Sequence, residues 1–180
     1  MKKIVAIVGM CGSGKSVASD YLVEKGWNKI YFGGVTMDEL KKNNLEVTPD
    51  NERMMREKLR KEYGMAAYAI LLLPKIRESM KEHDTVLDGL YSWDELLVLR
   101  KEFGDELKLI AVTADRPLRY SRLTNREIRP LTNEEALNRD IAEIENLAKG
   151  GPIAISDYYI LNNGTKEEYI ERLENIINEM

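Results

Sequence analysis

Gly9-Met10-Cys11-Gly12-Ser13-Gly14-Lys15-Ser16 is the stretch from which the rest of this chain is read. It satisfies the spacing G-x-x-x-x-G-K-[ST] without a mismatch, the pattern of a loop that wraps the phosphates of a nucleoside triphosphate. Each residue type has a reason to be there. Glycines let backbone N–H groups converge on phosphate oxygens with no Cβ in the way. A helix opening at Lys15 aims its positive N-terminus at the same anion. Lys15 reaches the β- and γ-phosphates, and Ser16 offers its hydroxyl to Mg²⁺. The stretch from Gly9 to Ser16, with Met10, Cys11 and Ser13 included, is expected to hold ATP and Mg²⁺. Cys11 is read either as a small residue at a free position or as a thiol made more acidic by the helix N-terminus.

The flanks agree with that context. Ile4 to Val8 is a continuous apolar, β-branched run, the pattern of a strand covered on both faces. After the loop, Val17, Ala18, Tyr21 and Leu22 recur on one side of a helix that Gly26 stops. Further out, strands are expected around Lys29–Phe32, Thr85–Leu87, Leu107–Val112 and Tyr158–Leu161. Residues 36–82 read as wholly helical. Thr48-Pro49 opens one helix there and Tyr63-Gly64 closes it. The next helix is apolar nearly all round, so it is expected to be buried, with Pro74 kinking or dividing it. Capping boxes start helices at Ser92, Thr132 and Thr165. The second of these helices is expected to end at Gly150-Gly151, and the last to carry Tyr169, Leu173, Ile176, Ile177 and Met180 along one stripe. Strands separated by helices mean parallel βαβ units in a three-layer α/β/α fold.

Length and composition set the bounds. One hundred and eighty residues fit one domain, and 43% hydrophobic with 32% charged residues excludes disorder. A net charge of −4 argues against broad nucleic-acid binding. Cys11 is the lone cysteine, so no internal disulfide forms. Lys2-Lys3 followed by Ile4 to Val8 and then Cys11 resembles a lipoprotein signal, but its apolar run is shorter than the ~7–15 residues such a signal needs. With no apolar run near the ~20 residues of a membrane span, the expectation is a cytoplasmic protein that binds neither nucleic acid nor membrane.

Asp88 ends a hydrophobic strand and is followed by Gly89. In a parallel sheet that end lies near the phosphates, so Asp88 is expected to hold Mg²⁺ through water, the alternative being an ordinary Asp-Gly turn. Arg116, Arg119, Arg122, Arg126, Arg129 and Arg139 fall in a stretch without lysine. Arginine alone implies forks aimed at phosphates or a purine face rather than a solvated surface. Arg119, Arg122 and Arg126 are expected on one helix face. Arg53, Arg56 and Arg60 recur at helical spacing and either hold an acceptor phosphate or decorate a solvated face. Residues 36–82 and 116–132 stand where two mobile covers of a phosphoryl-transfer site belong. The lone His83 is expected to be exposed before the third strand, and Tyr91 and Trp93 to serve packing.

The chain resembles the P-loop small-molecule kinases, and within them the nucleoside monophosphate kinases and dephospho-CoA kinases. It is most similar to a dephospho-CoA-kinase-like, adenylate-kinase-related branch. The residues carrying the resemblance are GMCGSGKS (9–16), LRKEYG (59–64), TVLDGLYSWDE (85–95), RYSRLTNREIRP (119–130), NRDIAEIE (138–145) and DYYILNNGT (157–165). The resemblance implies a five-stranded parallel sheet in the order 2-3-1-4-5. It implies a lid around Arg122–Arg129, acting with Lys15 and Asp88 in catalysis, and an acceptor cover in residues 36–82. Arg119 and the Asn162-Asn163-Gly164 turn would lie at the nucleotide, Gly164 and Asn162 beside the adenine.

Two departures bear on the acceptor. Where kinases of hydroxyl acceptors place an acidic residue after the second strand, this chain has Gly33-Gly34, with Asp38 a little later. Where adenylate kinases carry an arginine after Asp-Gly, Leu90-Tyr91-Ser92 stands. A phosphate acceptor is already a nucleophile and needs no strong base, which favours a nucleoside monophosphate over dephospho-CoA; Asp88 or Asp38 would serve a hydroxyl. The expected activity is transfer of the γ-phosphate of MgATP to a small nucleotide-like acceptor, by a monomer or homodimer. A slow, nucleotide-regulated ATPase that signals through a partner, or a relative without turnover, are the alternatives. No N-K-x-D guanine motif occurs.

Overall fold

In the computed structural model, which describes residues 2–180, five strands form one sheet in the order β2-β3-β1-β4-β5, every pairing parallel. The strands are β1 (Ile4–Val8), β2 (Asn28–Tyr31), β3 (Thr85–Asp88), β4 (Leu107–Thr113) and β5 (Tyr158–Leu161). All five residues of β1 are buried, as a central strand covered on both faces requires. Its register sets Ile4 beside Thr85 on one side and Leu107 on the other.

The two-residue alternation of a strand divides its side chains between two cores. Ile4, Ala6 and Val8 face a layer built from α2 (Gly34–Lys42), α3 (Pro49–Tyr63), α4 (Ala67–Glu82) and α5 (Trp93–Phe103). Val5 and Ile7 face the opposite layer, where α1 (Lys15–Glu24) and α9 (Lys166–Glu179) supply Ala18, Leu22, Tyr169 and Leu173. The remaining helices, α6 (Arg116–Thr124), α7 (Asn133–Leu147) and the short α8 (Gly150–Ala154), lie between β4 and β5 in the chain. Parallel strands bring the carboxyl ends of β1, β3, β4 and β5 to one edge. The loops that leave this edge begin at Gly9, Gly89, Ala114 and Asn162, the usual place for a ligand in an open α/β sheet.

The expected caps are present. Ser92, Thr132 and Thr165 each close a reciprocal box with Glu95, Glu135 and Glu168, and Thr48 caps α3 with Pro49 at its first position. His83 is exposed, as expected.

Several expectations are corrected. Helix α4 is not divided at Pro74. The ring sits on the exposed side, while Leu72 and Ile76 on the other side are buried, and that packing offsets the ~3 kcal/mol cost of an interior proline. The same helix is not buried all round: Ile70 is exposed, and Leu71 and Leu73 are half-buried, because only one stripe reaches the sheet. Residues 36–82 are not wholly helical; non-helical breaks fall at 43–48 and 64–66. Gly150-Gly151 does not end α7. The helix stops at Leu147, Ala148 takes the left-handed conformation usual for glycine, and the two glycines open α8. Helix α6 ends at Thr124, so Arg126 leaves the face that Arg119 and Arg122 share.

Candidate functional site

The loop between β1 and α1 is shaped by close approaches. A Cβ on Gly9 would sit 2.3 Å from the carbonyl oxygen of Val112, and one on Gly14 would sit 2.3 Å from Nδ2 of Asn162. Both residues also have positive φ, 148° and 100°. Only glycine fits such positions. Inside the loop, the Ser13 N–H donates to the Met10 carbonyl at 3.2 Å, tightening the turn.

Three side chains from distant elements hold the loop from behind. Arg119 of α6 donates to the Cys11 carbonyl at 2.8 Å, Asn162 at the end of β5 donates to the Ser13 carbonyl at 2.8 Å, and the Tyr169 hydroxyl of α9 donates to the Gly14 carbonyl at 3.0 Å. With those acceptors engaged, the loop offers N–H groups to a ligand. The Ser13 Oγ is buried and has no hydrogen-bond partner among the described residues. An unmade bond of this kind costs about 1–3 kcal/mol, and a phosphate oxygen would relieve it. The Lys15 ammonium donates to the Met10 carbonyl at 3.0 Å. Burial, joined by the charge of Lys149, pushes Lys15 down to about 8. The residues present therefore fit a triphosphate.

The cation side is leaner. Ser16 is exposed at the start of α1. Asp88 is buried at the end of β3, and its Oδ2 accepts from the Ser19 hydroxyl at 3.0 Å and lies 3.4 Å from the Lys29 ammonium. Lys29 also meets Asp20 at 2.7 Å; burial opposes its charge, but the two carboxylates outweigh it and hold the ammonium above its usual value. Among the described residues no group of three or more His, Cys, Asp or Glu side chains gathers as a metal site. Mg²⁺ suits such a place, because it takes one or two protein ligands and completes its shell with phosphate oxygens and water.

The arginines divide into distinct roles. Arg119 is buried and makes a two-pronged pair with Asp140, at 3.1 and 2.6 Å, in addition to its bond to the loop. It is an anchor of the cradle, with its guanidinium already committed. Arg122 donates to the Asn162 carbonyl at 2.9 Å while its Nη1 is buried and has no partner among the described residues. Arg126 donates through Nε to the carbonyl of Arg129. Arg129, with φ at 52°, lies 3.5 Å from Glu52 of α3, and Arg56 lies 3.6 Å from the other oxygen of the same carboxylate. Arg60 stands 6.0 Å over the Tyr68 ring, its Nε buried and without a partner among the described residues. The Tyr68 hydroxyl meets that of Thr36 at 2.7 Å.

Of the residues expected from sequence, the structure thus gathers Gly9–Ser16, Asp88, Arg119, Arg122 and Asn162 around the loop, and Arg56 with Arg129 around Glu52. Arg60 belongs to a separate cluster with Tyr68. Asp38 is exposed on α2, and Gly164 is exposed in the turn before α9, where neighbouring Asn163 accepts from the Asp115 N–H at 3.0 Å. Sequence reasoning missed Ser19, Lys29, Glu52, Asp140, Glu143, Lys149 and Tyr169. Ser19, Lys29, Glu52, Asp140 and Tyr169 act through partners far away in the chain, Glu143 and Lys149 pair with each other across a bend, and only Asp140 and Glu143 stood inside a quoted motif.

A family model described as an AAA domain matches residues 5–157. A UPF0200 protein of Thermococcus onnurineus is 34% identical over 178 residues, covering 97% of this chain and 96% of the relative. This chain belongs to the UPF0200 family. TT1252 from Thermus thermophilus shares the fold at a TM-score of 0.70 and 19% identity, over 99% of this chain and 98% of that one. A shikimate kinase from Bacteroides thetaiotaomicron does so at 0.62 and 13% identity, over 98% of each chain. The UPF0200 chain therefore has the P-loop NTPase fold, shared with a small-molecule kinase. No helix among its described residues is long and apolar enough to cross a membrane.

Proposed function

We propose that this UPF0200 protein is an ATP-dependent phosphotransferase that moves the γ-phosphoryl group of MgATP to a small nucleotide-like acceptor, a nucleoside monophosphate being favoured. The observation that carries the reading is the meeting of two arginine-bearing segments. Arg129 of the segment after α6 and Arg56 of α3 converge on one carboxylate, Glu52. Arginines brought together in this way suit an anionic acceptor and the exclusion of water during transfer. When bound, MgATP supplies the electrophilic phosphoryl group. The loop amides and Lys15 hold its oxygens, and Ser16 and Asp88 hold the cation. Arg122, Arg126 and Arg129 neutralise charge at the transferred group, with residues 116–132 as lid and 36–82 as acceptor cover. Arg56 and Arg60 bind the acceptor, and Asn162 with Gly164 borders the base.

The shared fold with a shikimate kinase favours a second reading, a hydroxyl acceptor such as dephospho-CoA, with Asp38 as the base. A panel of MgATP with each nucleoside monophosphate and with dephospho-CoA, read as ADP release, separates the cases. Release stimulated by a monophosphate supports the first reading, and release stimulated only by dephospho-CoA supports the second. Slow release indifferent to every acceptor would make the protein a nucleotide-regulated ATPase and refute both.

A further inference from the structure

The end of α7 is bent so that a lysine turns inward. Ala148 sits at φ 48°, a left-handed conformation that residues bearing a Cβ avoid. The next residue, Lys149, is only 2% exposed. Its ammonium has a single carboxylate partner, Glu143 at 2.5 Å, and lies 4.9 Å from the centre of the Tyr91 ring. That carboxylate is shared: its other oxygen lies 3.4 Å from Nε of Arg139. The Tyr91 ring that Lys149 faces lies against Gly89 at the carboxyl end of β3, where a Cβ would sit 3.2 Å from it, so the ammonium stands at the edge that carries the phosphate loop. The charge of Lys149 opposes that of Lys15, and Glu143 and Asp88 favour it.

The surrounding charges do not balance. Lys29 is shared by Asp20 and Asp88, so Asp88 keeps some charge to set against Lys15, while Asp140 is engaged by Arg119 and Tyr120. That leaves Glu143 as the close carboxylate for Lys149, for Arg139 and, at longer range, for Lys15. A buried ammonium needs a well-placed counter-charge. Three cations facing Glu143 and part of the charge of Asp88, beside a loop built to hold phosphate, are short of negative charge.

We propose that Lys149 is a second phosphate-directed lysine of this site, parked on Glu143, and that the terminal phosphate of a bound nucleotide takes over part of Glu143's work as its counter-ion. The proposal rests on the nucleotide-binding reading of the loop. It fixes the sign of two substitutions. Lys149→Met removes a favourable charge and weakens ATP binding by about tenfold, with a smaller effect on ADP, whose charge ends farther away. Glu143→Gln removes the competing anion and tightens ATP binding by several-fold. It also lowers the melting temperature without nucleotide and enlarges the gain in melting temperature on adding MgATP. A merely structural brace would weaken binding in both variants.

The test is calorimetric titration of MgATP and MgADP into the wild-type protein, Lys149→Met, Lys149→Arg and Glu143→Gln, with melting curves for each. Opposite signs for the two charge-removing variants, and near-wild-type binding by Lys149→Arg, support the proposal. Equal losses in both, or an unchanged preference for ATP over ADP in Lys149→Met, overturn it. Should Lys149→Met fail to fold, Glu143→Gln decides: tighter ATP binding supports the proposal and unchanged or weaker binding overturns it. A wild-type protein that binds neither nucleotide defeats the reading of the loop itself, a separate and recognisable failure.

Discussion

Replacing Asp140 with asparagine keeps the size of the side chain and removes the charge that Arg119 faces. The two residues are 7% and 6% exposed, and their contacts of 3.1 and 2.6 Å make a two-pronged bond well out of water. Breaking such a pair from one side leaves an uncompensated buried guanidinium, which costs about 3–5 kcal/mol. For a chain of this length about 3 kcal/mol lowers the melting temperature by roughly 6–12 °C. A second consequence separates the fold from the site. The double variant Arg119→Met, Asp140→Leu exchanges the pair for apolar packing and should recover most of the stability, since such replacements are often neutral. It does not restore the 2.8 Å bond to the Cys11 carbonyl. Loss of that bond should leave MgATP binding weaker by roughly 2–10-fold, the net worth of one hydrogen bond. Urea melts and calorimetric titrations of the single and double variants measure both effects. An asparagine variant that loses less than about 1 kcal/mol, or a stable double variant with wild-type nucleotide affinity, would refute the reasoning.

Three further outcomes are expected. Lys15 has its pKa lowered by burial, from 10.5 to about 8. Below pH 8 both folded and unfolded chains hold the proton, and the fold bears the cost of the buried charge. Between about pH 8 and 10.5 the unfolded chain binds more protons, so stability should rise with pH by up to about 3 kcal/mol; the rise should be absent from Lys15→Met in melts across that range. Gly14→Ala should lower stability by more than the ~1–2 kcal/mol of a left-handed alanine, because its Cβ would also press on Asn162, and an unchanged melting temperature would contradict the loop geometry. Ala148→Gly should raise stability by about 0.5–1 kcal/mol, seen as a melting temperature higher by a few degrees, and a fall would show that Ala148 is not strained.

What could be read in advance was local or periodic. The five strands, the phosphate loop and the capping boxes each announce themselves within about ten residues, because strand pattern, glycine spacing and caps are short-range chemistry. Pro74 does not divide α4, because propensity says nothing of the packing that holds the helix together on its other side. Arg126 misled because helical spacing was carried past Thr124, where the helix stops. Arg119 was recognised as special for its arginine-only surroundings, yet its partner is a carboxylate, and only the folded chain brings Asp140 to it. Lys149 carries no sequence signal, since nothing in a lysine after a helix marks it as buried; in the fold it follows a left-handed alanine.

The phosphate loop shows why a motif match is less than a site. Residues 9–16 specify a turn that could bind an anion, but three of the loop's carbonyls are held by side chains from α6, β5 and α9. In the chain those partners stand 108, 149 and 155 residues from the carbonyls they hold. A short peptide of the same sequence would have its carbonyls free to turn inward and compete with its amides for the ligand. The cradle is therefore a property of the assembled sheet, and any loosening of α6 or α9 reaches the nucleotide. It follows that ligand and fold are coupled: nucleotide binding should stabilise α6 and α9 along with the loop, and protection of amides in those two helices on adding MgATP is where hydrogen exchange should find it.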